Sequence, residues 1–131
     1  MHIVEENLYK IACNIDRADL RLHGITKDDL INRTPLGQLF IRKAAELCKG
    51  STAYAWPGCG FSMQMDFYYE DIVLIFSERI EDFVYNLRQT VHTLPQDQAI
   101  LMDALLHRIE HANEDTARKL IRNFEDHIKE L

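Results

Sequence analysis

The chain has little of what special-purpose scaffolds are made from. It carries three cysteines, three prolines, five glycines and one tryptophan in 131 residues. Cys13, Cys48 and Cys59 are odd in number and widely spaced, whereas a disulfide framework or zinc ribbon needs even counts or close pairs. Three separate reduced thiols in a cytosolic protein are expected instead. Positive charge is also short: 15 lysines and arginines face 21 acidic residues, a net charge of -6. That balance argues against a basic surface for nucleic acid. No apolar run approaches the roughly 20 residues that cross a bilayer. The charged pair Glu5–Glu6 comes too early for a secretory leader, so no signal peptide and no membrane partner are expected.

Catalytic signatures are equally sparse. No glycine-rich phosphate loop precedes a helix bearing a lysine, and no serine or cysteine sits on a nucleophile elbow. Cofactors are therefore expected to be absent, and the chain is read as no enzyme. The one literal match is His107-Arg108-Ile109-Glu110-His111, the inverted zinc-peptidase string. Its two histidines, four apart, share a helix face, which makes a zinc-dependent hydrolase the competing reading. A catalytic zinc normally needs a third protein ligand and a cleft, so a polar helix face is the favoured reading of this string.

What is present is a well-patterned α+β chain. Its central signal is Phe61–Ser77. Phe61, Met63, Met65 and Phe67 alternate with Ser62, Gln64 and Asp66, the pattern of a strand with one buried face. Ile72–Phe76 is a run of strand-forming apolar residues, and Tyr68–Asp71 makes the bend of a hairpin. Pairing across the bend puts Phe67, Met65, Met63, Ile72, Leu74 and Phe76 on the core face. The outer face then carries Gln64 and Asp66 beside Val73 and Ile75, a half-apolar surface suited to a protein partner.

Around this hairpin the helices are punctuated. Short strands are expected at Ile3–Glu5 and Leu8–Ile15, the latter with Tyr9, Ile11, Cys13 and Ile15 on one face. Asp16 caps a short helix that Gly24 stops. Thr26 with Asp29 forms a capping box. Thr34–Pro35 opens a helix to about Lys49, with Leu36, Leu39, Phe40, Ala44 and Leu47 as its stripe, widened by Ile41 and Cys48. An extended piece is expected at Thr52–Trp56, with Trp56 as a core lid. Ile80, Phe83, Val84, Leu87 and Val91 start a helical region that Leu94–Pro95 breaks. Ile100, Leu101, Ala104, Leu105, Ile109 and Ala112 form a second stripe. After a break capped by Asn113 comes a third, of Ala117, Leu120, Ile121, Phe124, Ile128 and Leu131. The spacing of the last stripe fits either packing within the chain or a homodimer seam through the C-terminal helices. A purely structural oligomerisation module is thus a further reading. The expected fold is a small, mostly antiparallel sheet on one main helix, followed by a C-terminal helical hairpin.

The two-strand start, Asp16–Gly24, Ile25-Thr26-Lys27-Asp28-Asp29-Leu30, the long helix and the hairpin ending Ile72-Val73-Leu74-Ile75-Phe76-Ser77-Glu78-Arg79-Ile80-Glu81-Asp82 together resemble the N-terminal domain of the MecA adaptor family. The resemblance spans roughly Met1 to Phe83. It implies a bacterial, cytoplasmic, non-enzymatic adaptor whose N-terminal domain binds target proteins. In that family a second domain engages a Clp-type AAA+ unfoldase for regulated proteolysis. Here the acidic linker and second α/β domain of the family have no counterpart, and Asn86–Leu131 reads as helix. The resemblance thus divides the chain into a MecA N-terminal-like domain at 1–83 and a helical segment at 84–131.

Overall fold

A computed structural model describes residues 1–52 and 55–129. Among these, a four-stranded antiparallel sheet and six helices make an α+β fold. The chain divides into two compact units. The first comprises Met1–Trp56 and Met63–Phe76, and the second Pro57–Ser62 and Ser77–Leu131. The units part at Phe76, ahead of the expected boundary after Phe83, because Ile80, Phe83 and Val84 pack into the hydrophobic cluster of the second unit.

In the first unit β1 (His2–Asn7) pairs antiparallel with β2 (Lys10–Ile15), with a register shift between Ile3 and Glu5. Both strands sit close to their expected places. The two-residue turn between them puts Tyr9 at φ 59°, a left-handed conformation uncommon for a bulky residue. Sheet order is β1-β2-β4-β3, with β3 at Ser62–Phe67 and β4 at Ile72–Ser77. The backbone N–H of Tyr68 donates to the Asp71 carbonyl (2.9 Å), closing the expected bend.

Three helices cover one face of this sheet. α1 (Arg17–Leu22) and α2 (Lys27–Ile31) both begin with complete capping boxes, Asp16 with Asp19 and Thr26 with Asp29. Burial works to raise the Asp19 carboxyl's pKa. Hydrogen bonds from the amino-terminal ammonium and the Asp16 N–H, with the ammonium's attraction, outweigh it and hold Asp19 below the usual carboxylate value. Asp29 is lowered too, first by the Thr26 N–H and then by the Thr34 hydroxyl.

α3 (Pro35–Gly50) starts at the Thr34–Pro35 pair as expected. Its buried face is rotated from the expected stripe. Gly37, Phe40, Ala44, Ala45 and Cys48 are buried, while Leu36, Leu39 and Leu47 are exposed. Small residues let the helix backbone approach its neighbours, and that close approach outranks the larger apolar area of the leucines. The first core joins these α3 residues to Ile11, Cys13 and Ile15 of β2 and to Ile72, Leu74 and Phe76 of β4. Met63 and Met65 pack against it, as expected, but Phe61 and Phe67 are exposed. Phe67 instead lies under the Lys27 ammonium, 5.7 Å from its ring centre.

Cys13 and Cys48 are joined by a disulfide, against the expectation of three separate thiols; Cys59 is free. The two cysteines are 35 residues apart in sequence, a spacing that carries no sign of a bond. The bond arises because the buried faces of β2 and α3 meet. Trp56 is a lid as expected. It packs on the first core, donates to the Thr52 hydroxyl (3.1 Å) and stacks obliquely with Tyr9. Ala53 and Tyr54, inside the expected extended piece, lie outside the described residues, as does Leu131 of the last stripe.

The second unit contains α4 (Ile80–Val91), α5 (Gln96–Glu110) and α6 (Glu114–Lys129). Phe83, Val84, Leu106, Ile109, Ala117 and Ile121 form its core. Asn113 caps α6 as expected, its side-chain oxygen accepting from the Thr116 N–H at 2.8 Å. α5 is turned from its expected phase, since Leu106 is buried while Ile100, Leu101 and Ala104 are exposed.

The segment Pro57–Gly60 is clasped to α6 within this unit. The Arg118 guanidinium, 6% exposed, donates to the carbonyls of Glu78 (2.6 Å) and Cys59 (3.1 Å). Arg122 donates to the Pro57 carbonyl (3.2 Å), and Glu125 accepts from the Gly60 N–H (3.2 Å). The buried Glu78 carboxylate accepts from the Gly58 N–H (2.6 Å). Gly60 sits at φ 76°, a conformation that favours glycine, and a Cβ there would press on Arg118. Among the described residues, no helix is long and apolar enough to cross a membrane.

Candidate functional site

The outer face of the sheet gathers Gln64, Asp66, Val73 and Ile75 as the alternation predicts. β4 is an interior strand, and its pleat sends Ile72, Leu74 and Phe76 into the first core. Val73 and Ile75 therefore point the other way. Both are half-buried, and neither joins either hydrophobic cluster. On the edge strand β3 the same logic opposes Gln64 and Asp66 to Met63 and Met65. The Gln64 amide donates to the Asp66 carboxylate at 2.9 Å, which holds the two side chains together along the strand.

β2 extends this face with Ala12, itself 8% exposed, and the half-buried Asn14, opposite in pleat to Ile11, Cys13 and Ile15. The Asn14 amide reaches the Asp71 carboxylate at 3.4 Å. Register places His2 across from Asn14 and Glu5 across from Ala12. The result is a small apolar centre (Ala12, Val73, Ile75) with a rim of amides, carboxylates and one imidazole. Apolar centre and polar rim is the anatomy of a protein contact surface. All three helices of the first unit give their buried residues to the other side of the sheet. Sequence alternation found the four outer residues; it missed Ala12 and Asn14 because membership of this face depends on β2 lying beside β4.

The other sequence candidates fare differently. His107 and His111 do come together, with ring centroids 4.1 Å apart. Glu110, the base of the peptidase pattern, is ion-paired with Arg88. Among the described residues, no group of three or more histidines, cysteines, aspartates or glutamates is placed to hold a metal. The stripe considered for a dimer seam is taken up inside the second unit. Ala117 and Ile121 are buried in its core and Leu120 and Phe124 pack against it, leaving Ile128 exposed. An open apolar cleft of about 410 Å³ lies in this unit, lined by Leu101, Met102, Leu105, Phe124 and Ile128, with Gln98 and His127 among its polar lining.

No protein family, curated protein or solved structure matches this chain.

Proposed function

We propose that this protein is a non-enzymatic adaptor or regulator that binds target proteins through the outer face of its sheet. One observation carries the reading: Val73 and Ile75, on an interior strand, lie on the face away from the helices of their own unit and outside both cores. Side chains of that type in mid-sheet are ordinarily covered, and the polar rim around them suits a partner that comes and goes. The resemblance to the MecA N-terminal domain points to the same role, with targets destined for a Clp-type AAA+ unfoldase in the cytoplasm. The Cys13–Cys48 disulfide weighs against a reducing compartment. Its sulfurs are buried, which limits the access of a reductant.

The test is a quantitative pull-down from lysate with the wild-type chain beside a Val73→Asp/Ile75→Asp double variant. The variant is expected to lose the captured partners while keeping its circular dichroism spectrum. Partners retained by a folded variant would refute this face as the contact surface. A variant that unfolds would show the face to be internal, which also ends the proposal.

A further inference from the structure

We infer that His107 and His111 form an open two-imidazole site for a late first-row divalent metal ion, with copper(II) the tightest occupant. The two residues lie one turn apart where α5 ends, His111 being the residue that caps it. Their rings are tilted against each other, with centroids 4.1 Å apart and planes inclined by 37°. A metal ion bound to two neighbouring nitrogens at about 2.1 Å each sets those nitrogens about 3 Å apart for adjacent positions in its shell. With rings this close, the His107 ring has only to turn its edge so that a nitrogen lone pair, which lies in the ring plane, aims at the ion that His111 binds.

A second observation orients one ring for the task. His111 Nδ1 lies 2.9 Å from the His107 carbonyl oxygen. A neutral imidazole donates its Nδ1–H there, which leaves the Nε2 lone pair free. An outer hydrogen bond of this kind to a backbone carbonyl fixes tautomer and ring angle in metal-binding histidines. The carbonyl belongs to the last turn of the helix, where the negative end of the helix dipole favours a cation. Glu110, between the two histidines in sequence, has its charge met by Arg88.

Both imidazoles are exposed, so water fills the rest of the coordination shell. With two protein ligands the ion is held exchangeably, unlike a closed structural zinc. Imidazole suits copper, nickel and zinc, and the usual affinity order among divalent ions places copper(II) first. His23 serves as an internal comparison. Its Nδ1 makes the same bond to a carbonyl four residues back (2.9 Å), but that residue is Asp19, so no second imidazole stands beside it.

The experiment uses the full chain, free of a purification tag and carrying His2→Ala, which removes an imidazole next to the amino terminus that would compete for copper. One equivalent of copper(II) is added at pH 7.5, and pulsed electron paramagnetic resonance counts the bound imidazoles. Two are expected. In His107→Asn and in His111→Asn the count should fall and the tightest binding event disappear, whereas His23→Asn should change neither. If a variant is misfolded by circular dichroism, copper-induced broadening of both histidine ring signals in the parent protein decides instead. A single imidazole in the parent, a first site indifferent to His107→Asn, or no broadening at these rings would overturn the assignment.

Discussion

Gly37 of α3 lies so close to Asp29 of α2 that a Cβ on the glycine would overlap the Asp29 carbonyl oxygen. The obstacle is backbone, which cannot turn aside. Alanine favours a helix interior over glycine by about 1 kcal/mol. Forcing an extra methyl into a packed contact costs about 1–3 kcal/mol. Gly37→Ala should therefore destabilise the protein in urea unfolding despite the better helix former. Gly50, in the same helix with open space around its Cβ position, is the control. Gly50→Ala should be neutral or stabilising by up to about 1 kcal/mol.

Arg33 holds φ 51° just before the Thr34 cap, and Gly24 holds φ 65° after α1. The left-handed conformation costs a residue with a Cβ about 1–2 kcal/mol. Arg33→Gly should raise stability by about 0.5–1 kcal/mol, the remainder being lost to the freer unfolded chain. Gly24→Ala should lower it by about 1 kcal/mol, although nothing stands within contact of the new methyl. Thermal melts of the pair check both signs.

Much of this was legible from residue types. The three caps at Asp16, Thr26 and Thr34, the β3–β4 hairpin and the break at Asn113 follow from local chemistry that reads the same in a sequence as in a fold. The faces of α3 and α5 did not. Periodicity counts apolar residues, and α3 offers two overlapping stripes; which one turns inward is settled by how closely Gly37, Ala44 and Ala45 let backbones approach. The Arg118 clasp was invisible as well, since its partners are main-chain carbonyls at Cys59 and Glu78, which every sequence possesses. Of the candidate site, alternation gave Gln64, Asp66, Val73 and Ile75, while its extension to Asn14 needed the strand order.

Asp19 and Asp29 are both held below the ordinary aspartate value of 3.8 in the folded chain. Near that pH the unfolded chain binds more protons at these sites, so stability rises with pH there. Their contribution should be complete at neutral pH and be lost on acidification from about pH 5 downward, through the lowered folded values. Urea midpoints measured between pH 6 and pH 2.5 should fall less steeply in Asp19→Asn and in Asp29→Asn than in the wild type.

Arg118 donates to two carbonyls from a buried position, and hydrogen bonds from charged groups contribute about 1.5–3 kcal/mol each. Arg118→Met should destabilise the second unit by a few kcal/mol on that scale. Cys59, 3% exposed beneath this contact, should then react faster with a thiol reagent such as dithionitrobenzoate. A reaction rate unchanged in the native variant would show that other contacts hold the segment down.

The helical unit takes Pro57–Ser62 out of the middle of the sheet unit's own sequence, so the chain crosses from one to the other at Trp56–Pro57, Ser62–Met63 and Phe76–Ser77. Neither unit corresponds to one uninterrupted stretch of gene. Truncation after Phe83 would strip α6 from the loop it clasps and lay bare Cys59. A cut at Trp56–Pro57 therefore divides the sheet unit, one at Phe76–Ser77 divides the helical unit, and one at Ser62–Met63 divides both, so no single junction separates two whole units.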